Sequence, residues 1–501
     1  MTTVPLPDDP SLEQLRKLAK DIRDLSRAGE PGVLDLIGRH HPDGAAPVSL
    51  AGAQLVVARH HGFASWSELK HHVELIQRYR RAPDELDADS ASSVADRFLL
   101  LACLRYGDDD SPSRWQQAAE LLRAHPYLTT ESIHVAAAAA DVQALEGLLA
   151  DDPARARAQG GPYRWEPILY LVFARHAPDL NEAATITAAR LLLEAGADPN
   201  AGYLWHGLTT PFTALTGALG AGEGEQPAHP HGLALARLLL SAGADANDGQ
   251  TLYNRQFHTD DSHLELLFEF GLGQGDGGSW RARLGRAVDS PYHLVRGQLW
   301  WAVVHDMVDR VRLLVRHGAD ILTPYEAPGG RPSGLRTSHG RTPAEVASIC
   351  GCPRVLDFLL SVGATPPAGE GVDGLVAAIL AGDTDTVRRL RVHAEQARAE
   401  RPGLAVWAAA RRRWDAIPIL KGLGFDVNAL ARADIPMEQQ WESALHQAAA
   451  SGDCDAVQML LDVGADPNQR DRRFNSTPLG WAEHFGQAQT AEMLRPLTTD
   501  A

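Results

Sequence analysis

One ten-residue string returns along this 501-residue chain and confines it to a repeat architecture. Leu191–Leu192–Leu193–Glu194–Ala195–Gly196–Ala197–Asp198–Pro199–Asn200 comes back as Leu238–Leu239–Leu240 through Gly243–Ala244–Asp245–Ala246–Asn247, then as Leu313–Leu314–Val315 through Gly318–Ala319–Asp320. A weaker copy runs from Leu359–Leu360 to Gly363–Ala364–Thr365. Two more run from Leu420 to Gly424–Phe425–Asp426–Val427–Asn428, and from Leu460–Leu461 to Gly464–Ala465–Asp466–Pro467–Asn468. Such self-similarity marks a solenoid, in which each unit buries its apolar face only by stacking on the next.

Every part of the string has a mechanical reason. The leucine run, with Ala or Val one turn earlier, is the apolar stripe of a short helix. The glycine just past it suits the left-handed residue that commonly ends a helix. The Asp and Asn that follow can hydrogen-bond their own backbone and start a turn. Pro199 and Pro467 keep the helix from resuming.

The start of the unit is also legible. Thr477–Pro478–Leu479–Gly480–Trp481–Ala482 and Ser443–Ala444–Leu445–His446–Gln447–Ala448 approximate T-P-L-H-x-A. Thr342–Pro343–Ala344–Glu345–Val346–Ala347 and Thr210–Pro211–Phe212–Thr213–Ala214–Leu215 are looser versions. Thr or Ser caps free amides, Pro suits the first helical position, and Ala lets helices approach. On these motifs the chain resembles an ankyrin-repeat protein, most strongly over 440–498, well over 185–250 and 296–365, and in degenerate form elsewhere. The resemblance implies an all-α solenoid of stacked helix pairs with short finger loops, preceded by a small helical module. It also implies a non-catalytic scaffold that binds another protein through a concave face and fingers.

The glycines stand 47 (196 to 243), 75 (243 to 318), 45 (318 to 363), 61 (363 to 424) and 40 residues apart (424 to 464), against about 33 for an ideal unit. The two longest intervals each hide a decayed unit. One passes through Leu264–Leu266–Leu267 to Gly271, the other through Val376–Ala377–Ala378 to Val387–Leu390. Upstream pairs are expected at His134–Leu149 and Phe98–Leu122, giving roughly ten or eleven units in all. The expected organisation is a helical module over 1–81, a solvated linker over 82–92, a degenerate capping pair over 93–130 and the array over 131–498. Long inserted loops are expected near 201–232, 248–262 and 321–341.

The first eighty residues lack the string. Leu12, Leu15, Leu18, Ala19, Ile22 and Leu25 follow helical spacing after Ser11. A second helix covers about 49–61, and Ser65 or Ser67 caps a third through Leu69, Val73 and Ile76. The segment from Ala53–Gln54–Leu55 to His61–Gly62–Phe63–Ala64–Ser65–Trp66 resembles the small module found ahead of many bacterial ankyrin arrays, and a capping role is expected for it.

Composition removes several classes. The net charge of −17, from 64 acidic and 47 basic residues, disfavours nonspecific nucleic-acid binding, which depends on clustered cations. Four cysteines make no disulfide framework and fit a reducing cytosol. The N-terminus lacks a basic start and an apolar run, so no secretory leader is expected, and no window reaches the ~18 apolar residues of a membrane span. Scarce lysine with abundant arginine, alanine and glycine resembles high-GC bacterial usage. A capped solenoid has no intrinsic need to dimerise, so a monomer is expected.

No nucleotide-binding, nucleophile-elbow or metalloprotease motif is present, and neither a catalytic residue nor a cofactor is expected. Gly271–Gly278 is glycine-rich but follows a helix, and suits a flexible connector better than a dinucleotide turn. The histidine pairs His40–His41, His60–His61 and His71–His72 point apart on helices and do not suit a zinc site. His229–Pro230–His231 is expected as a polar loop, Cys350–Gly351–Cys352 as a packing turn, and Arg411–Arg412–Arg413–Trp414 as a solvated turn.

The finger loops carry the candidate contacts. Tyr203, Trp205, Tyr253, Arg255 and Phe257 can form one surface of the residue types that dominate protein interfaces. Alternatively, these aromatics tuck inward and close the 217–232 loop. Arg470, Arg472, Arg473 and Phe474 offer cations and an aromatic to an acidic partner. A competing role is a small-ligand receptor, with a pocket under 201–232 lined by Trp205, Phe212 and His231.

Overall fold

The structure, a computed structural model, describes residues 4–7, 9–44, 47–177, 180–224, 226–326, 338–436 and 439–499. It is mostly helical and divides into two compact units, Met1–Val295 and Arg296–Ala501.

The first unit opens with α1 (Leu12–Ala28), α2 (Pro31–His40), α3 (Leu50–His60) and α4 (Trp66–Tyr79). Ser11, Ser49 and Ser65 cap α1, α3 and α4, each side chain accepting an amide three residues on. Leu15, Ile22, Ile37, Val56, Leu69 and Val73 share one buried core. Three of these helices match their sequence signals; α2, behind Pro31, carries a shorter pattern and was not anticipated. The chain then forms β1 (Arg80–Arg81) and two 3-10 turns, Pro83–Glu85 and Ala88–Ser90. Residues 82–92 are therefore not simply a solvated linker: Pro83 is buried and Asp84 bonds His206 Nε2 at 2.7 Å.

Helix pairs follow: α5 (Val94–Ala102) and α6 (Pro112–Ala124); the short α7 (Leu128–Glu131); α8 (Ile133–Ala138) and α9 (Val142–Asp151); α10 (Pro167–Phe173) and α11 (Glu182–Glu194). After the strands β2 (Gly202–Trp205) and β3 (Pro211–Thr213) come α12 (Ala214–Leu219) and α13 (Gly232–Ser241), then α14 (Gly249–Arg255) and α15 (Ser262–Glu269). The first helices α5, α8, α10, α12 and α14 touch in series, and so do the second helices α9, α11, α13 and α15. A first helix has neighbours on both sides, which explains why every residue of α10 and α12 is buried. A second helix buries one stripe, as α13 does with Leu235, Ala236, Leu239 and Leu240.

The recurring string turns out to bind successive pairs together. Its Asp makes the local turn, as when Asp198 accepts the Asn200 amide at 2.9 Å. Its Asn reaches onward: Asn200 accepts the Asp245 amide and donates to the Gly243 carbonyl, both at 2.9 Å. Asn247 does the same with the Gly273 amide (2.8 Å) and the Gln274 carbonyl (3.0 Å). Gly196 and Gly243, at φ of +98° and +100°, give the left-handed turn this geometry needs.

Two expected inserted loops are corrected. Residues 248–262 are mainly α14, capped by Asp248, which accepts the Thr251 amide at 2.8 Å; with α15 they make the decayed unit expected between Gly243 and Gly318. Within 201–232, β2 is central in a three-stranded sheet, parallel to β1 (Arg80↔Leu204, Arg81↔Trp205) and antiparallel to β3 (Tyr203↔Phe212). The mostly helical fold carries a small sheet here, because Tyr, Leu and Phe at Tyr203, Leu204 and Phe212 favour a pleated, buried surface. The 271–278 connector is anchored by Asn247, and Trp280 next to it donates Nε1 to the Asn200 carbonyl at 3.0 Å.

α16 (Gly278–Leu284) completes the first unit, and α17 (Pro291–Val304) spans the boundary. The second unit continues with α18 (Val308–Arg316), α19 (Pro343–Ile349) and α20 (Pro353–Ser361), α21 (Gly371–Ala381) and α22 (Thr384–Leu390), and α23 (Ala394–Glu400). It ends with α24 (Leu404–Ala410) and α25 (Ala416–Gly422), α26 (Ala444–Ser451) and α27 (Cys454–Asp462), and α28 (Pro478–His484) and α29 (Ala488–Leu494). Here α19 touches α21, α18 touches α20, α24, α26 and α28 touch in series, and α27 touches α29. Asn428 staples onto Gly464 and Asp466, and Asn468 onto Leu497 and Thr499. Of the expected 321–341 insertion, residues 327–337 lie outside the described residues; on either side, Tyr325 and His339 form a bridge.

Arg411 and Arg413 are not a solvated turn. Arg411 covers Trp407 and donates to the Val304 carbonyl at 2.5 Å, while Arg413 donates to the Gly351 carbonyl at 2.8 Å. The planar guanidinium serves carbonyls that a lysine ammonium would meet less well. Among the described residues no helix is long and apolar enough to cross a membrane.

Candidate functional site

The five residues expected to form one surface in the first unit do not do so. Tyr203 is only 1% exposed and lies between Trp165 and Phe212, at centroid distances of 5.0 and 5.6 Å. Trp205 is half-buried, with the His206 ring against it at 4.4 Å. Pairing of Tyr203 with Phe212 on β3 and of Trp205 with Arg81 on β1 draws both residues into the unit, so they hold the hairpin. Tyr253 is 42% exposed, meets Phe257 edge-on at 5.4 Å and donates its hydroxyl to Glu223. Arg255 pairs with Asp260 at 2.7 Å.

Two residues expected to line a pocket under 201–232 are engaged elsewhere. Phe212 is buried beneath Tyr106 and Tyr203. His231 turns instead to the Leu180 carbonyl at 2.5 Å and to Glu182 at 3.6 Å. His229, expected in a polar loop, is buried; burial, helped by Arg175 and His231, pushes its pKa down to about 2.

In the second unit the finger residues do come together. Two connections, between α25 and α26 and between α27 and α28, are tied by the Arg472 amide donating to the Trp441 carbonyl at 2.8 Å. The first is pinned by the Ala431↔Glu442 antiparallel bridge. In the second, the Asp471 carboxylate accepts the amides of Arg473 (2.8 Å), Phe474 (2.6 Å) and Ser476 (2.9 Å), and Trp481 Nε1 at 3.0 Å. Burial raises the Asp471 pKa, but these hydrogen bonds outweigh it and hold the carboxyl below its usual value.

The tight loop turns Arg470, Arg472, Arg473 and Phe474 outward; all four are exposed. The Arg432 and Arg473 guanidinium carbons lie 3.8 and 4.1 Å from the Trp441 ring centroid, and Arg473 is also 5.0 Å from Phe474. Phe474 meets Trp481 at 6.4 Å, and Trp481 meets Phe485 at 6.0 Å. Phe474 is 66% exposed and Phe485 54%. Arg432, Trp441, Arg473, Phe474, Trp481 and Phe485 thus form one continuous stripe from the fingers to the end of α28.

The acids around this stripe are occupied. Asp434 pairs with Arg432, and Asp471 is consumed by its loop. Glu442, 4% exposed, accepts the Ala433 amide at 2.9 Å. Burial, and then Asp434, raises its pKa to about 7 against the pull of Arg473 and Arg432. The stripe's exposed edge is therefore cationic and aromatic. Among the described residues, no group of three or more His, Cys, Asp or Glu side chains is arranged to hold a metal.

Sequence reasoning found Arg470, Arg472, Arg473 and Phe474 but missed Arg432, Trp441, Trp481 and Phe485. Trp481 fills the unconstrained position of the helix-start pattern and Trp441 stands just ahead of a capping serine; either placement was a usable signal. Residues 441–472, from Trp441 through α26 and α27 to Arg472, match the ankyrin-repeat family model. No curated protein matches the chain.

Proposed function

We propose that this chain is a non-catalytic ankyrin-repeat scaffold that binds another protein, with the stripe from Arg432 to Phe485 as its main contact. The observation that carries the reading is the stripe itself: arginine and aromatic side chains, exposed at Arg473, Phe474 and Phe485, that run on from the 441–472 segment matching an ankyrin repeat. Arginine, tryptophan and their aromatic neighbours supply most of the energy at protein interfaces. Within each unit the other helix pairs are read as degenerate repeats; the serial contacts and the four asparagine staples inside the units support this. The N-terminal helices cap the array, the chain acts as a monomer, and its four free cysteines suit the cytoplasm. No cofactor, nucleic acid or membrane is required.

The test compares partner capture by the wild type with that by F474A/F485A, each immobilised at equal density, followed by quantitative mass spectrometry. A specific protein lost from the variant while the thermal melt is unchanged supports the reading. Identical capture by both, or a turnover assigned to the chain, overturns it.

A further inference from the structure

Resting on that interaction reading, we infer that the stripe takes an acidic peptide segment bearing a large apolar anchor, its carboxylates on Arg470, Arg472 and Arg473 and its anchor between Phe474 and Phe485. Charge complementarity supports the first half. In a molecule of net charge −17, these three arginines are exposed on one loop, while the nearby acids are paired (Asp434), buried (Glu442) or satisfied by backbone amides (Asp471). Arg473 is held in place by Trp441 and Phe474, so less freedom is lost when it meets a carboxylate.

Ring geometry supports the second half. Phe474 and Trp481 meet at 60°, and Trp481 and Phe485 at 51°. Rings inclined in this way present faces and edges against which an aliphatic or aromatic side chain can pack. They do not offer the successive parallel faces on which single-stranded bases stack.

The experiment uses the full chain and a fluorescein-labelled peptide, Glu-Glu-Phe-Glu-Glu-Leu-Glu, followed by fluorescence anisotropy. Saturable binding is expected, weakened at least about tenfold when glutamines replace the glutamates, since each charge-assisted contact is strong. R472E/R473E should weaken it by at least a further tenfold, and F474A or F485A several-fold. Affinity should fall between 50 and 300 mM salt as exposed charges are screened. Equal binding of the Glu and Gln peptides, no saturable binding, indifference to the arginine variant, or tighter binding of an oligothymidylate would each overturn the inference. If the peptide fails while F474A/F485A still loses its captured partner, the interaction reading stands and the acidic chemistry falls.

Discussion

Asp471 is the residue on which the exposed finger depends, and its removal has a calculable cost. The carboxylate is 2% exposed and accepts four hydrogen bonds between 2.6 and 3.0 Å, from Arg473, Phe474, Ser476 and Trp481. Hydrogen bonds to a charged acceptor contribute about 1.5–3 kcal/mol each. The amides of Arg473 and Phe474 belong to exposed residues and can turn to water, so the four do not simply add. D471A should therefore lower the local opening free energy by about 3 kcal/mol. D471N, which keeps one acceptor oxygen, should lower it by about half as much. Hydrogen exchange of the 470–482 segment is the suitable assay, because repeat arrays need not unfold in one step. About 3 kcal/mol corresponds to roughly hundredfold faster exchange at Arg473, Phe474 and Ser476. The sign with pH follows from the lowered pKa. The contribution is fully present above the unfolded carboxyl value of 3.8 and fades as pH falls through the folded one, so acid should loosen the wild-type finger and leave D471N nearly flat. Exchange in D471A within threefold of the wild type would refute the account.

Three further outcomes follow from groups elsewhere in the two units. N428A removes both bonds between Asn428 and the next repeat and should cost about 1–2 kcal/mol; urea unfolding followed by Trp481 fluorescence should show an earlier transition, and an unchanged midpoint would count against the staple. Glu442 has a folded pKa of about 7 against an ordinary 4.5, so its ionisation opposes folding increasingly as pH rises from 4.5 through 7; E442Q should stabilise by up to about 3 kcal/mol at pH 8 and by almost nothing at pH 4, as read from melts across that range. The Tyr203 hydroxyl is buried with no hydrogen-bond partner among the described residues, so Y203F should be neutral or up to about 1 kcal/mol stabilising in thermal melts, whereas Y203A should cost about 3–5 kcal/mol.

Two groups of aromatic residues of similar composition had opposite fates, and that contrast marks how far the sequence could be read. The leucine runs, the capping serines and the turn-making aspartates announce α13, α27 and their relatives, because each acts within a few residues of itself. The asparagine staple was half legible: Asn200 stood in the string, but its use depends on the next repeat lying alongside. Tyr203 and Trp205 looked like a finger because they follow the turn-making Asp198–Pro199–Asn200 of the string. What buries them is pairing of Leu204 and Trp205 with Arg80 and Arg81, a contact between distant segments that no local pattern specifies. Phe474 remains outside for the complementary reason: Asp471 spends its carboxylate on the loop's own amides, which turns the chain back on itself. The distinction between an aromatic that packs and one that stays exposed thus rests on whether a partner segment reaches its backbone. In the last two repeats the described backbone bonds close the fingers on each other, and the rings are left on the surface.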